Sequence, residues 1–418
     1  MDSTTRSKGY RIALVLLLSL NFGILFFDRN ALNFLMPYVR PDLGLSDTQV
    51  GMLSSGLSLT WAIAGFTVGR FSDWLGSRKP IIIAATLAFC VCSVVSGLAQ
   101  SFLMLLGARI LMGAAEGGVM PVSHSLIAAQ VPEQERGLAM GVAQNLGSNV
   151  LGSSVAPLVL VPVAIAFGWR HAFFIAAAPG LVSAAILWFF LKEPAGRDHA
   201  HHDAPPTTLG QAFADRNVQL CALISILLVS YLVCCWAFMP LYLTATRHVP
   251  ADTAKWLMAT LGISAGIGSF AVTALSDRIG RRPAIVGFSL LGAILPLGAL
   301  YLTGNAWLLA GIFFVGWALN GVFPLFMATI PSESVDPRLT ASLTGVVMGI
   351  GEVIGGVLSP SLAGGLSDHY GRDAVMWLML GLCILAGLVG CGLRETAPRV
   401  LARRAQAGLK GHDFSQLT

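Results

Sequence analysis

The chain has 418 residues, of which 55% are apolar and only 11% charged, with a mean hydropathy of +0.74. A soluble globular domain carries about 25% charged residues, so the composition excludes one and puts most of the chain in a bilayer. The formal charge of +5 then belongs to loops facing a membrane surface and is not the footprint of a nucleic-acid partner.

The apolar runs predict an all-α membrane protein with twelve transmembrane helices: 11–38, 47–69, 80–99, 102–130, 137–165, 171–191, 218–246, 253–275, 283–303, 306–330, 339–365 and 373–393. About 20 residues cross the hydrocarbon, so the longer spans imply tilt or extra turns beyond it. The first run follows Arg6, Lys8 and Arg11 as in a signal peptide. It lacks a small-residue cleavage site and eleven more runs follow, so it is read as retained. All seven cysteines lie in apolar runs without metal-ligand spacing to histidine. No disulfide framework, metal or other cofactor is expected.

Span 11–38 carries the adjacent pair Asp28 and Arg29, and span 102–130 carries Arg109 and Glu116. Ionisable groups are costly in hydrocarbon and face a polar interior, either as a substrate and proton site or as a structural ion pair between helices. Arg109 and Glu116 share one face, about 10 Å apart along the axis, because seven residues is close to two turns. Measured from one membrane face, Asp28 lies about 25 Å deep, Arg109 about 31 Å and Glu116 about 21 Å. Asp28 is thus bracketed by the other two. Glu116 is the better candidate to bind and release a proton, and Asp28 answers to whichever partner Arg109 takes. A carboxylate substrate offers Arg29 or Arg109 a bidentate partner. His124, eight residues after Glu116, is a relay or a core histidine.

In the fifth span Asn145, Ser148, Asn149 and Gly152 recur at i, i+3, i+4 and i+7, with Gln144 at the edge of that stripe. The stripe suits a cavity lining or a helix contact. Residues 192–217 form the longest polar stretch. Its His199, His201 and His202, beside Asp198 and Asp203, are read as a solvated cytoplasmic linker rather than a metal site. The domains are therefore residues 1–191, the linker 192–217, and residues 218–418 with a short tail. Tyr231, Trp236 and Tyr242 of span seven and Asn320 of span ten are substrate contacts or packing residues. Glu352 of span eleven shares a face with Gly345, Gly349 and Gly356 and, as a third intramembrane acid, needs a partner or a proton.

An even number of spans puts both termini on one side. With the termini cytoplasmic, that face holds 19 Lys and Arg against 5 on the other, with Arg29 and Arg109 inside the spans. The bias sets the orientation. The halves also repeat. Asp73 and Gly76 after span two stand 204 positions before Asp277 and Gly280 after span eight. Gly141, Gly147 and Gly152 match Gly345, Gly351 and Gly356 at the same offset. Parallel six-helix repeats are a transporter architecture, with the site near the midplane between them.

The whole chain resembles the major facilitator superfamily. Its signature after span two, Gly-x-x-x-Asp-Arg-x-Gly-Arg-Lys, is offered here by Gly69, Asp73, Gly76, Arg78 and Lys79, with Trp74 and Ser77 departing from it. The second copy has Asp277, Arg278, Gly280 and Arg281, with Thr273 at the leading glycine. The resemblance implies a cytoplasmic gate in which the Asp accepts from backbone N–H groups at the start of a neighbouring helix and pairs with a basic side chain. Asp28-Arg29 with Asn33, and Arg109, Gly113 and Glu116 with Pro121, are similar to the anion:cation symporter family. Phe26 stands where that family has Tyr, and Glu352 is an addition. This resemblance implies import of a small organic anion with protons, such as a sugar acid or an aromatic or aliphatic acid. Arg29, Arg109, Gln144, Asn145, Asn149, Tyr231, Trp236 and Asn320 would then face the substrate, with Asp28, Glu116 and Glu352 coupling protons.

The sequence has no Gly-x-x-x-x-Gly-Lys-Ser/Thr loop for ATP and no nucleophile and base set, so no enzyme is expected. The reading is a proton-coupled symporter working by alternating access, a monomer in a bacterial inner membrane. Its partners are an organic anion, a proton and the lipid bilayer, with no nucleic acid. The alternative is a proton-driven exporter of drugs or metabolites. A membrane sensor is disfavoured by a tail of about 25 residues, too short for a signalling domain.

Overall fold

The computed structural model describes residues 7–75, 77–193, 213, 215–302, 304–334 and 340–402. Among them there is no strand, and twelve long helices follow the predicted order. They are α1 (Lys8–Leu43), α2 (Asp47–Leu75), α3 (Lys79–Gly97), α4 (Phe102–Gln130), α5 (Leu138–Phe167) and α6 (Trp169–Phe190). The second half has α7 (Arg216–Thr246), α8 (Ala251–Ile279), α9 (Arg281–Tyr301), α10 (Ala306–Ser334), α11 (Thr344–Tyr370) and α12 (Asp373–Gly390). All but α2 are long and apolar enough to cross a membrane by composition alone. Of the linker 192–217, residues 194–212 and 214 lie outside the described residues, the three histidines among them.

Turn chemistry sets the ends. The Ser7, Ser101 and Asn305 side chains accept N–H groups of the first turns of α1, α4 and α10. Gly44 closes α1 with φ +62°, a conformation open to glycine without a Cβ penalty. Several helices change winding midway. A turn at Gly117–Gly118 interrupts α4 right after Glu116. Ser148–Val155 of α5 and Gly351–Leu358 of α11 are wider, π-type turns, and Ala318–Val322 of α10 is a tight 3₁₀ turn. The α5 and α11 π turns occupy equivalent positions in the repeat. Such interruptions are frequent at functional sites.

The chain divides into two compact units. One comprises Met1–His201, Val233–Gly266 and Gly356–Val375, and the other His202–Leu232, Ile267–Gly355 and Met376–Thr418. In the first unit, glycines bring helix backbones together. A Cβ on Gly113 or Gly117 would collide with the Leu57 and Trp61 carbonyls of α2, and one on Gly147 with the Ser19 carbonyl of α1. Close approach of this kind is the membrane substitute for a hydrophobic drive between helices.

The first turn of α2 docks on the end of α11 within the same unit. The Asp47 carboxylate, 3% exposed, accepts from Arg40 at 2.7 Å, Arg372 at 2.9 Å and the Ser367 hydroxyl at 2.6 Å. In return the Asp368 carboxylate caps α2, accepting the N–H of Asp47 at 2.9 Å and of Thr48 at 2.8 Å.

Candidate functional site

The charged residues of α1 and α4 meet in the interior of the first unit. Asn21 fixes α1 from two sides, its carbonyl oxygen accepting the hydroxyls of Thr86 in α3 and Ser183 in α6. Two turns on, Asp28 is fully buried and accepts from the Ser93 hydroxyl of α3 through one oxygen, while its other oxygen has no hydrogen-bond partner among the described residues. The Gly113 and Gly117 contacts seat α4 on α2. This turns the i, i+3, i+7 set of Arg109, Met112 and Glu116, all buried, toward the interior.

Arg109 makes no ion pair among the described residues. Its guanidinium donates to the backbone carbonyl of Arg29 at 2.9 Å and to the Met112 sulfur at 3.1 Å. The sequence suggests Asp28 as its partner, and the structure gives it a carbonyl. A buried arginine that clasps the backbone of α1 holds the position of Arg29 and is 2% exposed. Glu116 is 0% exposed and, among the described residues, neither of its carboxylate oxygens has a hydrogen-bond partner. The groups still act on one another. Arg109 lies in the fields of Glu116, Asp28 and Arg29, and Glu116 in those of Arg29 and Arg109.

Arg29 differs from Arg109. It is half-buried, forms no ion pair among the described residues, and its guanidinium carbon lies 5.4 Å from the Phe26 ring centre and 5.2 Å from the Trp61 ring centre. Aromatic faces stabilise a cation without occupying its N–H fork, so the fork remains open to a planar oxyanion. The Trp61 indole N–H beside it has no hydrogen-bond partner among the described residues either. Phe22 extends the aromatic wall, 5.0 Å from Phe26.

The other predicted residues divide. Most of the polar stripe of α5 is committed to structure. Asn145 donates to the Gly141 carbonyl at 3.1 Å and Ser148 to that of Gln144 at 2.6 Å, while Gly152 packs on Phe26 and takes Asn30 on its carbonyl at 3.0 Å. Asn33 donates to the Asn30 amide oxygen at 3.4 Å. Gln144 and Asn149 are half-buried. Trp236 is half-buried edge-on to Phe34, at 5.9 Å. His124 is half-buried with its Nε2 unpartnered.

In the second unit, Tyr231 is fully buried and donates its hydroxyl to the Gly292 carbonyl at 2.8 Å, stacked near Trp317. That is a packing position. Asn320 sits half-buried in the 3₁₀ turn, donating to the Trp317 carbonyl at 3.5 Å, and Glu352 is half-buried in the π turn of α11.

The gate motif is partly visible. Gly76 and the side chain of Asp73 lie outside the described residues. The N–H groups of Arg78 and Lys79 are capped by Glu193 at 2.6 and 2.8 Å. In the second copy Asp277 pairs with Arg281 at 2.6 Å, as the motif implies, and Arg278 is exposed. The acceptor at the start of α9 is Glu395, at 2.7 Å from the Arg281 N–H, and Arg281 also pairs with Glu333 at 2.9 Å. Gly280, at φ +110°, leaves no room for a Cβ beside Glu395. Glu193, Glu333 and Glu395 escape a motif-based reading. The signal for two of them is a Glu one or three residues before a proline after the sixth and twelfth spans, Glu193-Pro194 and Glu395-x-x-Pro398.

Residues 18–243 and 221–417 each match the profile described as Major Facilitator Superfamily. The chain is 32% identical over 362 residues to a protein of Cupriavidus pinatubonensis (strain JMP 134 / LMG 1197) named as a probable 4-methylmuconolactone transporter, covering 84% of this chain and 82% of that one. It is 25% identical over 394 residues to a probable sulfoacetate transporter of Cupriavidus necator (strain ATCC 17699 / DSM 428 / KCTC 22496 / NCIMB 10442 / H16 / Stanier 337), covering 88% and 90%. Its fold is similar to that of a bacterial homolog of the human lysosomal transporter Spinster in an inward-facing, unoccupied conformation, with a TM-score of 0.79 at 22% identity over 92% of this chain and 97% of that one.

Proposed function

Since the chain belongs to the Major Facilitator Superfamily and is an integral, multi-pass membrane transporter rather than an enzyme, we propose that it imports a small organic anion together with a proton by alternating access. The observation that carries this reading is the contrast between the two arginines. Arg109 is spent on the α1 backbone, whereas Arg29 stands between two aromatic faces with its fork unpaired among the described residues. A carboxylate or sulfonate fits that fork in a planar, bidentate pair. The names of the organic-acid relatives support the same substrate class.

Coupling follows from the shared field. Among the described residues, an ionised Glu116 is compensated by Arg29 and Arg109 and by no hydrogen bond. An anion on Arg29 takes away part of that compensation, and a proton on Glu116 restores neutrality. Anion and proton therefore favour each other's binding, and loss of the proton favours expulsion of the anion. Asp28, held by Ser93, is a second acid in the same field.

The site also favours one kind of anion. Asn30, Asn33, Asn145 and Ser148 donate to groups of the protein, which leaves few donors for a polyhydroxylated ligand. Rings at Phe26 and Trp61 suit a flat acid, aromatic or lactone-like, over a sugar acid. Against the alternative, a proton-driven exporter of drugs or metabolites, both arginines favour an anion over a cationic drug. The Lys and Arg bias supports cytoplasmic termini, on the same side as the gate motifs.

A thermal-shift panel tests the reading. Purified protein is melted at about pH 5.5 and about pH 7.5 with aromatic, aliphatic and sugar acids, neutral sugars and lipophilic cations. Stabilisation by carboxylates, larger at the lower pH, is expected. Stabilisation by lipophilic cations alone would overturn it.

A further inference from the structure

The second unit carries a basic cavity that the transport scheme leaves unused. It lies where the start of α7, the start of α9 and the segment after α12 converge, encloses about 650 Å³, and is lined by Arg216, Arg282 and Arg394. Val286 and Leu393 give it an apolar wall. All three arginines are exposed, and among the described residues none is in an ion pair.

The convergence is built. Asn217, next to Arg216, accepts the Arg394 N–H at 2.9 Å and donates to the Arg394 carbonyl at 3.3 Å. This fixes the starts of two arginine side chains side by side. Gly392 has no Cβ, and one placed there would lie 3.5 Å from an Arg216 guanidinium nitrogen. The acid at the cavity, Glu395, is turned to the backbone, where it accepts the N–H of Arg281 at 2.7 Å and of Arg282 at 3.3 Å. It caps a helix instead of neutralising the guanidinium groups. Three like charges around one hollow suit an anion whose several oxygens can meet more than one guanidinium fork.

We propose that this cavity binds the phosphodiester headgroup of an anionic phospholipid. Three apolar helices end here, so the cavity lies at the depth where headgroups meet hydrocarbon. Its apolar wall suits the ester and first methylenes of an acyl chain, which a free phosphate lacks. Arginine forks match phosphate oxygens bidentately, and lysine does not. That geometric demand separates a site from the general attraction of basic loops to a membrane surface.

The test is native mass spectrometry and melting of the detergent-purified, full-length protein with phosphatidylglycerol, phosphatidylcholine or inorganic phosphate. Phosphatidylglycerol should remain bound and raise Tm, while the other two do neither. R216Q/R282Q/R394Q should lose this, at about five-fold weaker retention per arginine removed. R216K/R282K/R394K keeps the charge that membrane insertion requires and should still lose most of the retention. Equal retention by the lysine variant, or an equal effect of phosphatidylcholine, overturns the site. Full protection by inorganic phosphate overturns the lipid assignment in favour of a soluble anion. Organic-anion binding is read in the same samples and should persist in both variants, so this proposal and the transport reading fail separately.

Discussion

The two repeats solve the same packing problem and carry different chemistry. In the first half, Gly147 and Gly152 bring α5 against Ser19 and Phe26 of α1. In the second, Gly351 and Gly355 bring α11 against Ser225 and Ser230 of α7. Both crossings contain a π turn at the equivalent position. The charges have no such echo. Counting the 204-residue offset, Asp28 and Arg29 correspond to Leu232 and Val233, Arg109 to the buried Phe313, and Glu116 to Asn320. Around those positions the second half is filled by Tyr231, Trp317 and Phe313. Helix contact is thus a property of the repeat, and the cluster of arginines and acids a property of one copy, the second holding Glu352 in its π turn instead.

Breaking the charged copy should have the largest effect. Arg29→Gln should weaken anion binding by about thirty-fold or more, in line with about 2–5 kcal/mol for losing one partner of a desolvated charge pair. Arg29→Lys should recover only part of it, since a lysine has no fork. Titration of the best carboxylate from the melting panel gives the answer, and unchanged affinity in the glutamine variant removes Arg29 from the site. Glu116→Gln should abolish concentrative uptake while sparing exchange of substrate for substrate. It should also flatten the pH dependence of anion binding. Proteoliposome uptake driven by a pH gradient distinguishes the two modes, and persistent uphill uptake would mean that another acid couples.

How far the sequence discloses this asymmetry depends on cost. A charge in an apolar run is expensive, so Asp28, Arg29, Arg109 and Glu116 are visible at once, and so are the spans that contain them. Ser93, which holds Asp28, is invisible because a serine in a membrane helix bonds its own turn at no cost and leaves no mark. The clasp of Arg109 on the Arg29 carbonyl is equally hidden, since a backbone acceptor has no residue type. Tyr231 misleads for a related reason. A ring with a polar tip reads alike in a cavity and in a core with a carbonyl to meet, and here Gly292 supplies the carbonyl. The π turns are a shift in hydrogen-bond register, which alters neither composition nor periodicity enough to be read.

A middle-sized effect lies at the junction of α2 with α11. Asp47→Asn keeps the shape but removes the charge that Arg40 and Arg372 share. Both arginines keep some solvent, with side-chain exposures of 30% and 18%, so the destabilisation is put at about 1–2 kcal/mol rather than the larger cost of a dry pair. A cysteine pair at Ser55 and Ser361, whose hydroxyls lie 2.8 Å apart, reports on the junction by its rate of crosslinking. Slower crosslinking in D47N is expected. An unchanged rate would mean that the glycine contacts alone, Gly51 on Pro360 and Gly364 on Asp47, hold it.

The smallest expected effects sharpen the comparison most. Trp61→Phe keeps a ring beside Arg29 and deletes the unpartnered indole N–H, so it should weaken a carboxylate by about five-fold, one hydrogen bond's share. At the repeat position of Glu116, Asn320→Ala deletes a weak 3.5 Å bond to its own helix and should change proton-driven uptake by less than about two-fold. Measured side by side in proteoliposomes, the two variants separate a residue that serves the anion from one that only winds a turn. A loss of coupling in the Asn320 variant as large as that of Glu116→Gln would show that the second repeat carries chemistry of its own, and the one-copy account would fall.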